Sequence, residues 1–161
     1  MKFQDILTSI DNKVYHPVYF LCGEEHFYID KITDYITDNV LEAQEKEFNH
    51  SVLYGKEVDI AQIIAEAKQF PFGSTHRVVI VKEAQNIKNI EDLESYLNNP
   101  QPSTLLVICY KYKKLDKRKK FTKTLVKKAL LFESKRLYDN QVPDWIAKYL
   151  TEKGHKIEEK A

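Results

Sequence analysis

Gly23, Glu24 and Glu25 hold the position in this chain best placed for chemistry. They form a turn between an apolar stretch, Val18 to Cys22, and a helix-patterned stretch that begins near Phe27. A strand, a glycine turn and a helix in that order is where nucleotide-binding folds grip phosphate. The grip needs several glycines with bare amides, then a Lys for the phosphates and a Ser or Thr for magnesium. This chain offers two carboxylates instead, at a helix N-terminus whose partial positive charge they are expected to take up themselves. A phosphate arriving there meets like charge.

Ligands of open α/β sheets bind at the carboxyl ends of the strands. Lys82 and Glu83 follow the apolar run Val78 to Val81, where an NTPase places the carboxylate that orients magnesium. A lysine cannot hold that metal ion. Tyr110 follows Leu105 to Cys109, where a small polar residue would sense the terminal phosphate. Three positions fail together. His16, His26, His50, His76 and His155 show no HxxxH or HxH pairing, and Cys22 and Cys109 are not a CxxC pair. No GxSxG elbow is present. Glu24 and Glu25 as an acid/base pair would point apart at a helix start. The sequence therefore predicts no catalytic residue, no metal site and no cofactor.

Hydrophobic spacing gives the elements that position these residues. Phe3, Ile6, Leu7 and Ile10 predict a short first helix, and Val18 to Cys22 a fully apolar strand. Ile29, Ile32, Ile36 and Val40 line the next helix. Phe48 to Tyr54, of mixed polarity, reads as an edge or near-edge strand. Ile60, Ile63, Ile64 and Ala67 mark a helix that runs into Phe70-Pro71-Phe72-Gly73, and Val78 to Val81 is a second buried strand. Asn89 is a candidate N-cap for a helix with Ile90, Leu93 and Leu97 inward. Leu105 to Cys109 is a third buried strand; the Lys-rich stretch follows as a helix anchored by Phe121 and Leu125, and Ala129 to Phe132 closes the series. Pro143 and Asp144 open a last helix bearing Trp145, Ile146, Tyr149 and Leu150, stopped by Gly154. Strands and helices alternate, and the central strands are apolar on both faces. The fold class expected is α/β, a parallel five-stranded sheet with helices on both faces.

The chain has 161 residues, 43% of them apolar and 30% charged, which suits one full domain, or one plus the start of another. No apolar run reaches the roughly 20 residues of a membrane helix, so no membrane partner is expected. Met1 to Asp5 has no signal-peptide core, which predicts a cytoplasmic protein. The two cysteines read as small apolar core residues. Net charge is only +1, yet residues 111–128 hold ten Lys or Arg against one acid, Asp116.

Two features could bind a partner. In Gln69-Phe70-Pro71-Phe72-Gly73 the proline breaks the helix and the glycine lets the chain turn into the sheet. Two phenylalanines bracketing a proline either complete the core or present an aromatic on a stiffened loop, as binding hot spots do. The second feature is the basic stretch. Lys113, Lys114, Lys117, Arg118, Lys119 and Lys120 are candidate DNA-phosphate contacts, which would be non-specific and salt-sensitive. They equally suit a solvated face.

The segments Val18-Tyr19-Phe20-Leu21-Cys22-Gly23-Glu24-Glu25 with Phe27-Tyr28-Ile29, and Phe70-Pro71-Phe72-Gly73 running into Arg77 to Ala84, resemble the delta subunit of the bacterial DNA polymerase III clamp loader. So do Lys113-Lys114-Leu115-Asp116-Lys117-Arg118 and Pro143-Asp144-Trp145-Ile146. The resemblance implies an AAA+ type domain with a degenerate nucleotide site at 1–138, and the start of a truncated helical lid at 139–161. It implies a non-hydrolysing subunit that binds the sliding clamp (the beta subunit), helps open the ring during replication and assembles with other clamp-loader subunits. Carried onto this chain, the clamp-binding residues are Pro71 and Phe72 with Phe70 adjacent, Phe72 protruding and Phe70 half in the core. Delta subunits have a lid and a collar, of which this sequence shows only the lid's start. The alternative is a non-specific nucleic-acid-binding domain using segment 111–128.

Overall fold

A computed structural model describes residues 2–135. The apolar runs become the strands β1 (Val18–Gly23), β3 (Arg77–Lys82) and β4 (Thr104–Lys111), with β2 (His50–Tyr54) and β5 (Leu130–Ser134) on either side. All neighbours pair in parallel, in the order β2-β3-β4-β1-β5. The α/β class, the five strands and the edge position of the second strand are as expected.

The helices are α1 (Phe3–Asp11), α2 (His26–Asn39), α3 (Ala43–Asn49), α4 (Ile60–Ala67), α5 (Glu94–Asn98) and α6 (Lys120–Lys128). Alternation along the strands divides the core in two. Phe20, Val79 and Leu106 face α4 to α6 and meet Ile63, Leu97 and Leu125. Tyr19, Ile80 and Val107 face α1 and α2 and meet Ile6, Ile29 and Ile36. Cys22 and Cys109 are buried thiols in β1 and β4, and burial pushes them up to about 12 and about 11.

Three expectations need correction. Phe48 is not in a strand: α3 occupies 43–49, and its sequence, Ala-Gln-Glu-Lys-Glu-Phe-Asn, has no apolar stripe to announce a helix. A capping box between Glu42 and Glu45 starts it instead. Asn89 does not cap with its side chain; Ile90–Leu93 is a 3₁₀ turn that leads into α5, although Ile90, Leu93 and Leu97 are buried as expected. The basic stretch is helical only from Lys120; residues 112–119 are loop, because Asp116 turns the chain by accepting the Arg118 N–H at 3.0 Å. The helix expected after Pro143, and the boundary at 138/139, lie outside the described residues.

Candidate functional site: the aromatic loop and the strand ends

At the turn after β1, Gly23 adopts φ +120°, and a Cβ there would sit 2.2 Å from the carbonyl oxygen of Ser134. The end of β5 therefore lies directly over the turn. The Ser134 hydroxyl accepts the Glu25 N–H at 3.2 Å and reaches the Cys22 carbonyl at 3.3 Å. A protein hydroxyl thus holds the amide that a phosphate would use. The expectation that Glu24 and Glu25 occupy the helix end themselves is corrected: Glu25 is the N-cap but makes no side-chain cap bond, and α2 has no acid in its first turn. Glu24 turns outward to Lys114 at 3.7 Å. Beside the turn lies a cavity of about 230 Å³ whose lining includes Glu24, Glu133, Lys114 and Lys135. At the next strand end Lys82 is exposed, and Glu83 takes a left-handed φ of +57°.

The aromatic loop spans 68–76, between α4 and β3. Phe70 is 77% exposed and Phe72 70% exposed, with Pro71 between them half-buried. The protruding Phe72 is as expected. Phe70 in a half-core position is corrected: α4 ends at Ala67, whose side chain already completes the stripe begun by Ile60 and Ile63, so nothing is left for Phe70 to cover.

Residues that sequence reasoning missed hold this loop. Asn49, fully buried at the end of α3, accepts the Phe72 N–H at 2.6 Å and donates to the Phe72 carbonyl at 2.7 Å. The Phe48 ring, 57% exposed, meets Phe72 edge-on with centroids 5.4 Å apart. The Ser74 hydroxyl binds Glu45 and, with the Glu42 backbone, holds that carboxyl below its usual range. Gly73 takes φ +67°, which frees the chain to turn back toward the sheet. Phe48 in a polar run was the one signal available, and the strand assignment absorbed it.

The basic residues divide between the loop and the first turn of α6. Lys119 pairs with Glu91 at 2.5 Å, Lys120 with Glu94 at 3.8 Å, and Arg118 with Asp116 at 3.2 Å. Lys113 donates to the Gln85 carbonyl at 3.1 Å, and Lys117 is exposed in the turn before α6. Arg118, through its side chain first and its backbone second, holds the Asp116 carboxyl low, and Glu91 raises Lys119. The structure therefore brings Lys114, Lys119 and Lys120 next to carboxylates of other segments and Arg118 next to one of its own loop, and keeps the aromatic loop on a different segment.

The family model for DNA polymerase III, delta subunit, matches residues 19–135. DNA polymerase III subunit delta of Bacillus subtilis (strain 168) is 36% identical over 151 residues, which cover 88% of this chain and 44% of the relative. The solved structure of the Bacillus subtilis DNA clamp loader delta protein superposes with a TM-score of 0.81 at 34% identity, over 98% of this chain and 49% of that one. A gamma subunit-related protein of DNA polymerase III from Thermotoga maritima superposes at 0.52 with 16% identity, over 94% of this chain and 50% of that one, a likeness of fold alone. This chain spans less than half the length of the two Bacillus relatives.

Proposed function

The chain belongs to the DNA polymerase III delta-subunit family, and from that premise we propose that it binds the DNA polymerase sliding clamp through Phe70, Pro71 and Phe72 and helps open the ring. One observation carries this reading: two phenylalanines, 77% and 70% exposed, flank a proline on a loop fastened to α3. Large aromatics kept in water on a tethered loop suit insertion into an apolar pocket, where burial rewards them and little ordering entropy remains to be lost. The wedge needs no chemistry. It shifts the clamp toward an open ring only by its differential affinity for the open over the closed form. Assembly with other clamp-loader subunits belongs to the same proposal.

The second reading, non-specific DNA binding by segment 111–128, draws on its ten cations against one acid. The ion pairs to Glu24, Glu91, Glu94 and Asp116 already neutralise part of that charge, so the aromatic loop is favoured.

Binding to the sliding clamp of the same organism, and to duplex DNA, at low and high salt separates the two. Clamp binding that survives high salt supports the wedge, because apolar burial tolerates salt that phosphate contacts do not. Salt-steep DNA binding without clamp binding replaces it with the second reading.

A further inference from the structure

The loop that carries Phe72 is held from outside itself. Asn49 presents its side-chain amide to Phe72 as a neighbouring strand would present its backbone, accepting the N–H and donating to the C=O. Its Nδ2 also donates to the Glu45 carbonyl at 2.9 Å. The amide thus makes three hydrogen bonds, and its orientation follows from them: reversing it would set donor against donor and acceptor against acceptor. One residue earlier, the Phe48 carbonyl accepts from Arg77 Nη1 at 2.9 Å, which fixes the end of α3 to the start of β3. Phe48 therefore stands on a fixed backbone with its ring against Phe72 and most of its surface in water.

We infer that Phe48 and Asn49 are the second half of the clamp-docking surface. Asn49 is a positioning residue that presets Phe72, and Phe48 is a contact residue that widens the apolar face offered to the clamp. The inference rests on the clamp-binding reading above and goes beyond it, because it moves the surface from one loop to two chain segments. Only molecules whose loop already has the bound shape can dock, so the apparent dissociation constant rises as that fraction falls. A loop with two exposed phenylalanines and no outside tether would sample many shapes. Asn49 removes that freedom before the partner arrives. Phe48 acts differently. Its exposed ring against the exposed ring of Phe72 makes one larger apolar face, the kind of surface that marks a contact site.

The test uses the full-length subunit and its clamp, with three variants and two readouts: hydrogen exchange at the Phe72 amide and clamp-binding kinetics. In the wild type this amide, on a strongly exposed residue, should exchange slowly. Asn49→Ala should make it exchange fast and weaken clamp binding about tenfold, mainly through slower association. Phe48→Ala should leave the amide protected and weaken binding about fivefold, mainly through faster dissociation. Should Asn49→Ala lose the fold, Asn49→Leu carries the same test, since it keeps the volume and removes the acceptor for the Phe72 N–H together with both donated bonds. Fast exchange at Phe72 with wild-type affinity would overturn the positioning role, and full affinity in Phe48→Ala would overturn the contact role. A wild-type subunit that fails to bind the clamp removes the clamp reading itself. Failure of the variants' predictions beside a binding wild type removes only the part assigned to Phe48 and Asn49.

Discussion

The Arg77 guanidinium forms an ion pair with Glu66 directly beneath the aromatic loop. The two residues stand on either side of that loop, at the end of α4 and the start of β3, so the pair closes its base. Arg77 is buried, and it also donates to the Ser51 hydroxyl at 2.9 Å and the Phe48 carbonyl at 2.9 Å. One cation thus gathers α3, β2, α4 and β3 at the foot of the candidate docking surface.

Arg77→Met removes the cation, strands the Phe48 carbonyl and leaves the partly buried Glu66 carboxylate without its partner. Loss of one member of such a pair costs about 3 kcal/mol of folding stability. Glu66→Gln keeps a hydrogen-bond acceptor but leaves the buried Arg77 cation without its counter-charge, and should cost about 2 kcal/mol. Arg77→Lys should not rescue, because an ammonium cannot reach several acceptors in the fixed fork of a guanidinium. Urea unfolding of the three variants gives the ranking; equal midpoints for Met and wild type would show that the network carries no stability.

Phe72→Ala should reduce clamp affinity beyond detection, a loss of at least about 2 kcal/mol at a central hot spot. The residue is mostly exposed, so the stability change should stay within about 0.5 kcal/mol, and circular dichroism should remain native. Unchanged clamp affinity in a natively folded Phe72→Ala protein would sink the wedge.

The α/β class was legible because its signal is strong and local: three apolar runs, Val18 to Cys22, Val78 to Val81 and Leu105 to Cys109, became the centre of the sheet. Helix α3 was not legible, since a helix held by a capping box and tertiary hydrogen bonds leaves no apolar period to read. The same gap hid half of the candidate site. Pro71 and its flanking phenylalanines stand out in sequence, whereas Asn49 lies 23 positions before Phe72, and only the fold brings its amide to that backbone. Ser134 is hidden for a similar reason. It covers the turn at Gly23 because β5 pairs with β1, a long-range register that composition does not reveal.

Gly23 and Gly73 should respond differently to alanine. At Gly23 the added Cβ would meet the Ser134 carbonyl at 2.2 Å on a backbone with φ +120°, and both the collision and the strain oppose it. We expect a loss of about 3 kcal/mol or more. At Gly73, with φ +67° and nothing within 4 Å, only the left-handed conformation opposes Ala, at about 1 kcal/mol. Magnesium ATP should leave the melting temperature of the wild type unchanged, because the amide it would seek is bonded to Ser134. A clear upward shift with ATP would restore the nucleotide site.

Stability should fall as the pH drops below about 6.5, where the histidines of the unfolded chain take up protons. Burial lowers His16, His50 and His76 in the folded state, so the native protein accepts those protons less readily than the unfolded one. The unfolded state then binds more protons, and stability, complete above about pH 6.5, declines as the pH falls toward the depressed native values. His50 has a specific reason to stay neutral: its Nε2 is buried without a hydrogen-bond partner, and Lys46 and Lys82 add repulsion to the burial. His50→Gln should therefore flatten part of the decline between pH 6.5 and 5 (a window set about the usual histidine value) while leaving the carboxylate-driven loss at lower pH. Urea midpoints measured through that window decide it: a His50→Gln profile that tracks the wild type would place the proton uptake on His16 and His76 instead.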